Sequence, residues 1–114
     1  MNSEAIKPKV FTPNYAGQPL HNAADFGTVV PITEGNINLF DINRLEYIFE
    51  TFLEDHGFDP KTDYIILAGH VILSFVLSKV ITEKYSEQYD YINLLLFQSA
   101  KKEYMLRELY FRKE

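Results

Sequence analysis

The chain has 114 residues, a hydrophobic content of 46% and no cysteine. This length suits one domain with a modest core, and the lack of cysteine excludes disulfides, thiolate zinc sites and cysteine nucleophiles. The formal net charge of −5 argues against sequence-independent binding to nucleic acid. Because the absence of cysteine also fits a reducing compartment, we predict a cytoplasmic location.

The N-terminal segment and the longest apolar stretch both argue against a membrane protein. The first ten residues, "MNSEAIKPKV", lack the apolar core of a signal peptide. The stretch from Val71 to Ile81 is far too short to span a bilayer. We predict no membrane association, a flexible tail over residues 1–8 and one α/β domain over residues 9–114.

Short apolar runs separated by turn residues predict the first strands. Val10 and Phe11 predict a short strand that Pro13-Asn14 and Gly17 end. The segment "AADFG" (23–27) is compatible with a single helical turn.

A β-branched segment and an amphipathic stripe follow. The segment "TVVPIT" (28–33) predicts a strand, and Pro31 within it favours an edge position or a bulge. Asp41 predicts the cap of a helix that begins at Ile42, and Gly57 predicts its stop. The apolar stripe of this helix comprises Ile42, Leu45, Ile48, Phe49, Phe52 and Leu53.

The second half of the chain predicts a βαβ unit. "YIILAG" (64–69) is typical of a central parallel strand, and "HVILSFVLSKVITEKY" (70–85) of a well-buried helix that covers a sheet. "YINLLLF" (91–97) predicts the next strand. "KEYMLREL" (102–109) fits either an antiparallel strand, which we favour, or a short helix. The expected fold is α/β and Rossmann-like, with a small mixed sheet of four or five strands and two main helices.

Polar residues follow the predicted parallel strands at their carboxyl ends, where open α/β sheets bind ligands. The candidate ligand-binding residues are Asn14, Tyr15, Glu34, Asn36, Gly69, His70 and Ser99. Because His70 would lie near the N-terminus of the second helix, a small anion such as a phosphate is the ligand this edge would favour.

Each candidate also has a purely structural interpretation. Gly69 fits a close turn between strand and helix, and His70 fits a helix-cap residue. Asn14 and Asn36 are ordinary turn residues, and Glu34 fits a solvated turn. No complete catalytic, phosphate-loop or metal-ligand motif is present, so we predict no catalytic residue, no metal and no cofactor.

Five segments, taken in order, resemble a group of short uncharacterised proteins encoded by bacteriophages. They are "NYAG" (14–17), "TEGNIN" (33–38), "DINRLEY" (41–47), "DYIILAG" (63–69) and "INLLLF" (92–97). The resemblance extends from about Val10 to Leu106. It implies a small viral accessory protein that acts in the host bacterial cytoplasm, and it implies no activity.

We predict a non-enzymatic protein that binds a protein partner or associates with itself. The apolar second helix, or Tyr104, Tyr110 and Phe111 near the C-terminus, would supply the interface. The alternatives are a small nucleotide- or phosphate-binding domain, in the extreme a minimal hydrolase that uses His70 and Glu34, and a structural component of a virion.

Overall fold

The chain folds into a mixed five-stranded sheet with two helices. The computed structural model describes residues 7–67 and 69–112. The strands are β1 (Lys9–Tyr15), β2 (Thr28–Glu34), β3 (Tyr64–Ile66), β4 (Tyr91–Gln98) and β5 (Glu103–Tyr110), and the helices are α1 (Ile42–Asp55) and α2 (Val71–Tyr85). A 3-10 turn over Ala23–Asp25 lies between β1 and β2. The predicted α/β fold is confirmed.

The strands lie in the order β2-β1-β3-β4-β5. β2, β1, β3 and β4 run parallel to one another, and β5 runs antiparallel to β4. The C-terminal segment is therefore a strand and not a helix, and β3-α2-β4 is the predicted βαβ unit. The chain places β2 on one side of β1 and β3 on the other, so the strand order changes direction at β1.

Two predictions about the first strands have different outcomes. Pro31 lies in β2, which is an edge strand as predicted. The prediction that Pro13 and Asn14 end β1 is wrong, because β1 continues to Tyr15. The hydroxyl of Thr33 donates to the Pro13 carbonyl at 2.8 Å, and regular pairing resumes at Asn14. A side-chain bond from the neighbouring strand thus supports β1 past the proline.

α1 matches its sequence signals at both ends. The Asp41 carboxylate accepts a hydrogen bond from the Arg44 backbone N–H at 3.3 Å, which caps the helix at its first turn. Gly57 follows the helix with φ +62, in the left-handed region that glycine adopts readily. Leu45, Phe49 and Leu53 are buried against the sheet.

α2 is less buried than its composition predicts. Leu73, Leu77 and Ile81 are buried, but Val71 is exposed and Phe75 keeps 74% of its surface exposed. The helix has the sheet on one side and α1 beside it, and the described residues place nothing over its outer side. The surplus apolar surface of this helix is therefore on the outside of the molecule and not sandwiched within it.

The two faces of the sheet are covered unequally. α1 and α2 pack on one face, against residues such as Phe11 and Ile65. The connection between β1 and β2 covers part of the other face, where Ala23 packs among sheet residues. That cover does not extend along β5, where Leu106 and Tyr110 are exposed.

Two further predictions concern the ends of the chain and the membrane. Residues 1–6 lie outside the described residues, so the division into a tail (1–8) and a domain (9–114) stays a prediction. Within residues 7–67 and 69–112, no helix has the length and apolar character needed to cross a membrane.

Candidate functional site

A cavity of about 370 Å³ opens at the carboxyl ends of the parallel strands, beside β1. Its lining residues come from the end of β1, from the loops after β1, β2 and β3, and from the start of α2. They are Asn14, Ala16, Gln18, Gly35, Asn36, Ile37, Leu39, Gly69, His70 and Leu73. The cavity thus occupies the position where the strand order changes direction, which is where open α/β sheets bind ligands.

Four of the seven candidate residues come together here. Asn14, Asn36, Gly69 and His70 line the cavity. Tyr15 and Glu34 are register partners at the ends of β1 and β2, but neither is part of its lining.

Ser99 does not join the other candidates. β3 ends at Ile66, opposite Leu95, whereas β4 continues to Gln98 before the chain turns. The β4-β5 hairpin therefore extends past β3 and carries Ser99 beyond the cavity. Ser99 lines a separate shallow depression with residues of β4 and β5.

Two of the amide side chains that line the cavity are already hydrogen-bonded within the chain. Asn14 donates to the Gly35 carbonyl at 3.1 Å, and its Oδ1 lies 2.8 Å from the Thr33 hydroxyl, whose single hydrogen it shares with the Pro13 carbonyl. Gln18 donates to the Asn14 carbonyl at 2.8 Å and accepts from the Ala16 backbone N–H at 2.7 Å. Both side chains hold the loops in place. A ligand would have to rely mainly on Asn36, on His70 and on backbone groups.

Gly69 and His70 form the junction between β3 and α2. Gly69 has φ +89, so a left-handed turn explains the glycine without any ligand. His70 is the N-cap residue of α2, but its exposed side chain makes no capping hydrogen bond. Its backbone carbonyl instead accepts from the Leu73 N–H at 3.0 Å. The imidazole lies at the rim of the cavity, without a hydrogen bond to the residues that the structure describes.

The second candidate site is the free edge of β5. The Asn22 side chain donates to the Tyr104 carbonyl at 3.1 Å and accepts from the Tyr104 N–H at 2.5 Å. The backbone groups of Tyr104 therefore point away from β4. Because these directions alternate along an antiparallel strand, the groups of Leu106, Glu108 and Tyr110 point the same way. No strand lies on that side in the sheet order of the described residues.

Apolar side chains flank this open part of the edge on both faces of the sheet. Tyr110 is 62% exposed on one face, and Leu109 is 53% exposed on the other. The Tyr110 hydroxyl donates to the Glu108 carboxylate at 2.9 Å, and this hydrogen bond raises the pKa of Tyr110 above its ordinary value. The guanidinium of Arg107 donates to the Leu106 carbonyl at 2.7 Å.

The sequence pattern predicts Tyr110 in an interface, but it does not reveal the free edge of β5. It predicted the strand, but not that it would be the last strand of the sheet. One signal was available: residues 103–110 contain no proline, a residue that commonly protects an edge strand, although they include the charged residues Glu103, Arg107 and Glu108. β2, at the opposite edge, contains Pro31.

Comparison of the chain with protein-family models, with curated proteins and with solved structures finds no match in any of the three. Within the part of the chain that the structure describes, no group of three or more histidine, aspartate or glutamate side chains is placed to hold a metal ion. The chain's own geometry is therefore the basis for any function assigned to it.

Proposed function

We propose that the protein is a non-enzymatic accessory protein that binds another polypeptide, or a second copy of itself, along the free edge of β5. The proposal is based on the outward direction of the backbone groups of Glu108 and Tyr110 and of the Leu106 N–H, next to Tyr104, whose backbone groups Asn22 already binds. The sequence resemblance to short bacteriophage proteins supports a phage-encoded origin and action in the bacterial cytoplasm.

The chemistry of such an edge favours an extended polypeptide over other partners. A strand that docks there receives main-chain hydrogen bonds, each worth about 0.5–1.5 kcal/mol net. The exposed side chains of Leu106, Leu109 and Tyr110 would add apolar contact on both faces of the new pair. The net charge of −5 argues against a nucleic acid in this role.

Native mass spectrometry of the full chain, purified gently from a bacterial host, tests the proposal. Glu108→Pro removes one outward N–H, and no hydrogen bond to β4 depends on that group. Glu108→Thr is the matched control, because it removes the same carboxylate and keeps the N–H. Tyr110→Pro removes the outward N–H of the last residue of β5. At the end of a strand, proline should destabilise the fold less than it does within the strand.

We expect the wild type and Glu108→Thr to form a homo-oligomer or a complex with a host protein. Both proline variants should lose that assembly while circular dichroism shows that they remain folded. An assembly that persists in folded proline variants would place the interface elsewhere. A wild type that is monomeric and without any partner would contradict the proposal.

A second candidate function is binding of a small anion in the cavity at the strand ends. The observation in its favour is the position of the cavity, beside β1 and at the N-terminus of the 15-residue helix α2. Titration with inorganic phosphate and with AMP, followed by NMR, tests it. Saturable shifts at Asn36, Gly69 and His70 that His70→Ala weakens would support this function, and no saturable shift would contradict it. The hydrolase version has less support, because Glu34 is not part of the lining.

A further inference from the structure

We infer that the polypeptide that pairs with the free edge of β5 is a second copy of the same chain, antiparallel and centred on Leu109. This inference rests on the proposed function, which leaves the partner open. The two copies would be related by a two-fold axis, so the same edge would serve both partners.

Asn22 restricts how two copies can pair. Because it occupies the backbone groups of Tyr104, and the Arg107 guanidinium donates to the Leu106 carbonyl, the open groups of the edge are the N–H of Leu106 and the outward N–H and C=O of Glu108 and Tyr110. Symmetric antiparallel pairings that set two different positions among 106, 108 and 110 opposite each other have their axis at Arg107, at Glu108 or at Leu109. The axis at Arg107 would also bring residue 110 of the partner opposite Tyr104, where Asn22 already lies.

Charge distinguishes the three pairings further. An axis at Arg107 places two arginines directly opposite each other, and an axis at Glu108 does the same with two glutamates. Like charges directly opposite across a strand pair are destabilising. An axis at Leu109 avoids both conflicts, because it places leucine opposite leucine.

The remaining pairs in this register are also complementary. Glu108 faces Tyr110 of the other copy, and these two residues already form a hydrogen bond within one chain, from hydroxyl to carboxylate at 2.9 Å. Arg107 faces Phe111, which suits a cation–π contact. Leu109, which is 53% exposed, becomes covered at the axis. A strand edge that complements itself in this way fits a second copy better than an unrelated strand.

Single-cysteine cross-linking tests this register in the full chain. The protein has no cysteine, so Arg107→Cys, Glu108→Cys and Leu109→Cys each introduce one thiol. With the axis at Leu109, the two Cα atoms of residue 109 lie about 4.5 Å apart, within reach of a disulfide. Those of residues 108 and 107 lie about 8 and 14 Å apart, beyond its usual reach of about 7 Å. Ser78→Cys, exposed on α2, is the control for chance collisions.

Under mild oxidation, we expect Leu109→Cys to form disulfide-linked dimers at least about tenfold faster than the other three variants. Equally fast cross-linking at residue 107 or 108 would overturn the register. If no variant exceeds the Ser78→Cys control, the partner is not a second copy. If the partner is not a second copy but a host protein, and Glu108→Pro abolishes that complex, the proposed function still holds. The absence of any complex would contradict both the proposed function and the pairing of two copies.

Discussion

Asn22 and Tyr104 lie 82 residues apart in the sequence, and the side-chain amide of Asn22 pairs with both backbone polar groups of Tyr104. The neighbouring His21 has φ +48, and its ring lies on that of Phe97, with 4.6 Å between the ring centroids. The connection between β1 and β2 is thus fastened to the β4-β5 hairpin. The β5 edge is closed at Tyr104, and from residue 106 to residue 110 it is open except for the Leu106 carbonyl, which accepts from the Arg107 guanidinium.

Removal of the Asn22 amide should destabilise the fold. Asn22→Ala leaves the Tyr104 N–H and C=O without their partner, so we expect the free energy of unfolding to fall by about 1–2 kcal/mol. Asn22→Asp should not restore this stability, because its carboxylate still accepts from the Tyr104 N–H but sets a charged acceptor against the Tyr104 carbonyl. Urea denaturation measures both changes. An Asn22→Ala variant as stable as the wild type would show that the two hydrogen bonds contribute nothing.

Asp63 is a buried carboxylate with a structural role at the opposite end of the sheet. Its two oxygens accept from the backbone N–H groups of Lys9 and Asp59, each at 2.9 Å. Asp63→Asn turns one acceptor into a donor that faces another donor, so we expect a loss of about 1–3 kcal/mol. Thermal and urea unfolding check this. The matched control is Asp55→Asn on the surface, for which a change below about 0.5 kcal/mol is expected. Equal losses of stability in Asp63→Asn and Asp55→Asn would contradict the structural role of Asp63.

Thr12 carries a buried hydroxyl that makes no hydrogen bond with the described residues. Thr12→Val keeps the shape of the side chain and removes a polar group that is costly to bury. We therefore expect unchanged stability or a gain of about 1 kcal/mol in the free energy of unfolding. Thr12→Ser, which keeps the hydroxyl and removes a methyl group, should lower stability. A clear loss of stability in Thr12→Val would mean that the hydroxyl has a partner in solution.

We expect position 69 to require glycine because of its positive φ, and not because a larger side chain would clash with its neighbours. A Cβ atom at this position would lie 3.7 Å from the nearest side-chain atom of Leu73, which is ordinary contact. Its φ of +89 nevertheless strains any other residue, so Gly69→Ala should cost about 1–2 kcal/mol. Gly69→Asn should cost less, because asparagine tolerates positive φ. Differential scanning calorimetry compares the variants, and an alanine variant as stable as the wild type would contradict this explanation.

Local sequence patterns predicted the elements well wherever the signal lay within one element. Asp41 and Gly57 marked the ends of α1, and the apolar run from Tyr64 marked β3. The length of β1 was missed because it depends on Thr33 of the neighbouring strand, which supports the chain past Pro13. The exposure of Phe75 was missed because composition does not reveal how many layers surround a helix.

The candidate cavity could be predicted in part, and the edge could not. The loops after parallel strands gather at one edge, so Asn14, Asn36, Gly69 and His70 could be placed together from topology alone. The position of Ser99 relative to the cavity depends on the register of the β4-β5 hairpin, which local sequence does not determine. The contact between Asn22 and Tyr104 joins distant parts of the chain, and no local pattern predicts it.

Backbone amide exchange, measured by NMR over a range of protein concentrations, tests the pairing of two β5 edges most directly. If two copies pair with the axis at Leu109, the amides of Glu108 and Tyr110 should become protected as the concentration rises, because their N–H groups bond across the new strand pair. The Tyr104 amide, already bonded to Asn22, should show protection at every concentration. Exchange at Glu108 and Tyr110 that stays fast at all concentrations would contradict the pairing.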